Sequence, residues 1–292
     1  MGMKGFKGFE KDFSCGGKQC EENTTYEEYG EGCCYKGVMH FYEDPWEVLN
    51  HYDLVDGNGN LSEFAEVEAL GQVWNDGEKR ATNKIHVGAK LGLKGFLKAC
   101  IDFTLEKTNG TNLSGNSAQI GSSGDSAQIG SSGNYAQIGS SGNYAQIGSS
   151  GYSAQIGSSG DSAQIGSSGY SAQIGSSGYY AQIGSSGYYA KIGSSGNYAQ
   201  IGSSGYSAQI GSSGDYAKIN STGEDAVIMC AGRRSKAKGK KGSWITLAEW
   251  VKDEEKGRYV PICVKTERVD GEKIKEDTYY TLKNGEFSEV EE

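Results

Sequence analysis

The chain has 292 residues, a net charge of −9 and a hydrophobic share of 36%. Glycine reaches 46 residues and proline only 2, which excludes collagen and Pro-rich spacers. No apolar run is long enough for a transmembrane helix, and the acidic balance disfavours nucleic-acid binding by the chain as a whole.

Residues 1–112 hold most of the large apolar side chains and are expected to form a small α+β domain. Asp44-Pro45-Trp46-Glu47 has the form of a capping box with proline at the first helical position, opening a helix through Trp46, Leu49 and Tyr52. Phe64 to Ala69 alternates as a half-buried strand. Lys90 to Glu106 is read as a helix, with Gly92 and Gly95 weakening its first turns. Cys15, Cys20 and the adjacent Cys33-Cys34 lack the paired spacing of a zinc site, so no metal is expected. Seven cysteines without a secretory leader fit reduced thiols in a cytoplasm.

From Ser117 to Ile228 a nine-residue unit, [SY]-A-Q-I-G-S-S-G-[DNY], recurs without insertion, with isoleucine at every ninth position from Ile120. Such composition alone reads as a disordered linker. The unbroken spacing and the x-Ala-x-Ile alternation oppose that reading and place Ala and Ile on one face. Nine extended residues span about 30 Å, too little to enclose an interior after two bends. Two nonapeptide units are therefore expected to make one 18-residue coil: two short strands joined by two GSSG corners, with the corner glycines supplying positive φ. Residues 113–230 are read as this parallel β-solenoid, which makes the chain mainly β. Calcium rolls need an acidic residue where several units have Tyr, and ice-binding arrays need Thr, which this repeat lacks except at Thr222.

A coil of two units stacks Tyr152, Tyr170, Tyr188 and Tyr206 into one ladder. Stacking itself stabilises adjacent coils, and a row of tyrosines also suits a docking surface for a protein. Residues 231–242 are read as a basic linker. Its Arg233, Arg234, Lys236, Lys238, Lys240 and Lys241 form the sole local patch suited to phosphate or an acidic partner. Residues 243–292 are expected to form a β-hairpin module, with two-residue turns at Asp270-Gly271 and Asn284-Gly285.

The segments KGFKGF-x-KDF-x-C, TYEE, HF-x-EDPWEVLNHY and GSWITLAEW, taken with the nonapeptide block, resemble phage and prophage proteins of unknown function. The resemblance implies a mobile-element origin, solenoid architecture and the cytoplasm of a bacterial host. This chain departs from those relatives at Val38-Met39, where they place Gly-Phe, and at Tyr42, where they commonly place Cys. The stretch around His40 is also faintly similar to a strand–helix step of ADP-ribosyltransferase folds, which would make His40 and Tyr52 nicotinamide-pocket residues. No Ser-His-Asp set, P-loop, dinucleotide fingerprint or HExxH motif is present. The expected function is a non-enzymatic scaffold docking a macromolecular partner and inhibiting a host factor, with no cofactor. The alternatives are an ADP-ribosyltransferase-like enzyme with the solenoid as spacer, and a fibre or assembly subunit that self-associates.

Overall fold

The computed structural model describes residues 2–32, 37–56, 60–107 and 115–290. The chain divides into two compact units, Met1–Phe103 and Thr104–Glu292.

Among its described residues the first unit is built on nine strands and two helical elements. The strands are β1 (Met3–Phe9), β2 (Ser14–Cys15), β3 (Lys18–Gln19), β4 (Thr24–Glu27), β5 (Met39–Tyr42), β6 (Glu63–Ala69), β7 (Val73–Asp76), β8 (Lys79–Thr82) and β9 (Lys84–Lys90). Seven of them make one antiparallel sheet in the order β4-β9-β6-β1-β5-β8-β7. Alternation along β6 sends Phe64 to one face and Ala65, Val67 and Ala69 to the other, so each face carries its own apolar cluster. Helix α1 (Gly92–Lys107) stacks Phe96 on Phe64 at 3.7 Å. Gly92 has φ +57°, so the glycine that weakens a helix interior instead serves the turn that starts this one. The predicted Asp44 helix is a single 3-10 stretch, Pro45–Asn50. The Asp44 carboxylate caps it by accepting from the Trp46 N–H at 2.8 Å. Glu47 accepts from the Asn50 side chain.

The second unit opens with thirteen four-residue strands, β10 (Gln119–Ser122) to β22 (Val227–Cys230), each starting nine residues after the last. Even-numbered strands form one parallel sheet and odd-numbered strands the other. Each residue pairs with its equivalent two units on, Ile120 with Ile138 and Ile129 with Ile147. Two repeat units therefore make one coil, as the sequence predicts. Ile and Ala point inward: Ile147, Ile165, Ile183 and Ile201 are at most 1% exposed. The first Ser of each GSSG is also inward, and Ser131, Ser149, Ser167 and Ser185 accept the N–H of the glycine two residues later. Backbone bonds run coil to coil, for example Gln155 N–H to Ala136 O at 2.8 Å.

The corners differ from expectation. Among the described residues no glycine of the repeat has positive φ; the left-handed residue is the one before Ala, such as Tyr180, Tyr198 and Tyr216 at φ 57°, 60° and 58°. Their N–H groups donate forward, to the carbonyl of the next coil, as Tyr180 does to Asn197. The corner glycines are required for a different reason. A Cβ on Gly160 or Gly169 would overlap the backbone carbonyl of Gly142 or Gly151 in the coil before.

The predicted basic linker is in large part another half-coil. β23 (Lys236–Lys238) pairs in parallel with β21 (Lys218–Ser221), Ala237 taking the place of the core Ile. Ser235 stands where the repeat has Ala and accepts the Ala217 N–H at 2.9 Å. β24 (Trp244–Asp253) then joins β22, and each sheet ends in antiparallel pairing: β24 with β25 (Arg258–Arg268), and β23 with β26 (Tyr280–Lys283) followed by β27 (Glu286–Glu289). The edge strand β25 carries Pro261 and alternating charges, which blunt it against further pairing. Asn284-Gly285 makes the expected tight turn, φ 54° and 70°. Asp270-Gly271 does not. The Asp270 carboxylate accepts the Glu272 and Ile274 N–H groups in a loop that carries the chain from one sheet to the other.

Candidate functional site

The solenoid corners hold the tyrosines. Tyr152 stacks on Tyr170 with centroids 5.1 Å apart and planes 7° from parallel. The ladder loosens along the stack, to 5.8 Å at Tyr188 and 6.3 Å at Tyr206. Tyr189 leans into it, 5.4 Å from Tyr170 and 6.5 Å from Tyr206. Tyr189 is also the first residue of its column with left-handed φ. The four ladder rings are 38–53% exposed. Stacking occupies ring faces, so the ladder offers rims and hydroxyls. A second ladder on the opposite corner, Tyr180, Tyr198 and Tyr216, is tighter, at 4.9 and 4.8 Å. Its signal in the sequence is the same two-unit spacing. Beside it Asp125, Asn143 and Asp161 each accept the N–H of the equivalent residue one coil on, at 2.8–2.9 Å, so the short polar residues of this column are structural.

The basic run is engaged internally. Arg233 binds Asp215 through Nε at 3.1 Å and lies 4.1 Å from the Tyr259 ring centroid. Arg234 donates to the Tyr216 hydroxyl at 3.1 Å and so extends the second ladder. Lys236 and Lys238 both lie 4.8 Å from the Tyr279 centroid, Lys240 pairs with Asp277 at 2.6 Å, and Lys241 lies beside Gly271.

In the first unit a cleft of about 300 Å³ is lined by Lys7, Cys15, Cys20, Tyr26 and His40 among others. Lys7 is buried and donates to the His40 carbonyl at 3.0 Å. Tyr52 packs over Gly8 and its hydroxyl meets Cys15 Sγ at 3.1 Å. Burial pushes the Cys20 thiol up, with Cys15 adding to it, which works against a reactive thiolate. Cys33 and Cys34 lie outside the described residues. Among the described residues no group of three His, Cys, Asp or Glu is placed to hold a metal ion.

Residues 3–99 match the family of a domain of unknown function, DUF7666. No curated protein and no solved structure matches the chain. The DUF7666 match ends before the first coil, so it describes the seven-stranded sheet and the start of α1 but not the solenoid. Among the described residues no helix is long and apolar enough to cross a membrane.

The first unit also contains a paired carboxyl. Burial, a hydrogen bond that protonated Glu47 donates to the Glu78 carboxylate, and the nearby Glu78 and Asp44 charges push Glu47 up to about 7. The folded domain then holds a proton that the unfolded chain releases near pH 4.5. Its stability therefore falls as pH rises from about 4.5 to about 7. Glu47→Gln is expected to flatten that slope and to raise the denaturation midpoint above pH 7, measured on the full chain across this range.

Proposed function

We propose that the chain is a non-enzymatic scaffold whose rigid solenoid presents tyrosine corners to a macromolecular partner. The single observation that supports this reading is the exposed ladder Tyr152–Tyr170–Tyr188–Tyr206 on a regular stack. Rings already ordered by their neighbours lose little conformational freedom on binding, and tyrosine is enriched among residues that dominate interfaces. The internal pairing of the basic run favours a protein partner over nucleic acid. On the resemblance to phage and prophage proteins, that partner is a bacterial protein, met in the cytoplasm and inhibited by being held.

Changing all four tyrosines to serine tests this. Asn116 and Asn134 occupy the same column in earlier coils, so the corner does not need an aromatic ring and the coils remain. Capture of the partner from bacterial lysate is expected to fall about tenfold or more. Unchanged capture by a variant with native circular dichroism would remove the ladder from the binding surface.

A further inference from the structure

The even-numbered sheet has an open outer face, a shallow groove of about 1090 Å³. One column of outward positions is glutamine, with Lys191 as its charged exception, and the next is glycine. Gly139, Gly157, Gly175, Gly193 and Gly211 lie mid-strand without positive φ, and no atom lies within 4 Å of where a Cβ would stand. The fold therefore does not require glycine at these five places, in contrast to the corner glycines. A strand-interior glycine costs roughly 0.5–1 kcal/mol relative to alanine, and it commonly marks close approach by another backbone.

We propose that this face is the interface of a homodimer, in which the glutamine ridge of each copy fills the glycine trough of the other about a two-fold axis. A second copy has the same inter-strand repeat, so ridge and trough stay in step along the whole stack. Glutamine ladders between facing sheets interdigitate in this way. Charge selects the same face. The chain carries −9, yet the outward positions of this sheet from Gln119 through β24 hold no carboxylate. At its C-terminal end the face becomes apolar, with Val227, Met229, Trp244, Ile262 and Val264 each 47–63% exposed. Nine strands at ~4.8 Å spacing, four residues wide, cover ~550 Å² per copy. Both copies together bury ~1,100 Å², above the ~1,000 Å² that a specific interface needs. This pairing is independent of the tyrosine corners.

Sedimentation velocity of the full chain over a concentration series tests the proposal. The wild type is expected to sediment as a dimer. Gly157→Lys with Gly175→Lys fills the trough and is expected to give monomers, weakening association at least ~100-fold, with circular dichroism unchanged. Gln155→Glu with Gln173→Glu, which sets carboxylates against their symmetry mates, is expected to act alike. A wild type that is monomeric throughout, a dimer that persists in both variants, or species larger than a dimer would each overturn the proposal.

Discussion

Gly169→Ala will unfold the centre of the solenoid. The added methyl would overlap the carbonyl oxygen of Gly151, an atom that cannot retreat without parting the coils. The neighbouring bond from Ser171 N–H to Tyr152 O, at 2.8 Å, fixes the two corners against each other. The same overlap exists at Gly160, Gly178 and Gly187, so the restriction belongs to the architecture and not to one site. The expected loss exceeds ~4 kcal/mol, the range reserved for backbone clashes and core disruption. Gly124→Ala, at a corner of the first coil, is the matched control. Its Cβ enters open space, and the change is expected to be neutral or to stabilise by up to ~1 kcal/mol. Chemical denaturation of both variants, followed by far-ultraviolet circular dichroism, checks the contrast. Equal midpoints would show that adjacent corners are not in contact.

The second large effect is expected at Ile183→Ala. Ile183 is fully buried and lies in register between Ile165 and Ile201. Removing its side chain leaves a cavity that the rigid coils on either side cannot close, for a cost of ~2–5 kcal/mol. A stack in which each coil touches only its neighbours also passes cooperativity through single interfaces. Weakening the middle one is expected to lower the midpoint and to split the unfolding transition in two. Ile120, at the first strand and only half-buried, is expected to cost less and to leave a single transition. The denaturation curves of the two variants, compared with wild type, decide this. A single unshifted transition for Ile183→Ala would contradict a continuous isoleucine core.

The coil is readable because its period is set by side chains. Ile at every ninth position, with Ala two before it, fixes which way each strand faces. The corner conformation is not readable in the same way. A GSSG motif suggests glycine for positive φ, but here glycine answers close approach between coils, and Ser or Tyr before Ala takes the left-handed angle. β23 is hidden for the opposite reason. Its backbone bonds persist while Ala237 and Ser235 replace the Ile and Ala that define the pattern, and the run of cations around them reads as solvated chain. Gly92 likewise reads as a helix defect because its φ is invisible in sequence. Of the candidate site, the first tyrosine ladder follows directly from the two-unit period. The seven-stranded sheet does not, since most of its strands are short and are paired by contacts between distant segments.

One distance measurement bears most directly on the whole account. Spin labels placed through unnatural side chains at Ser141 and Ser213, both exposed, sit on the same corner of the stack. Four two-unit coils separate them, which places the two backbone sites ~19 Å apart. A narrow distribution near that value is the result expected of stacked two-strand coils. A distance of ~38 Å, as for nine-residue coils, or a broad distribution centred on ~45 Å, as for an unstructured segment, would contradict them.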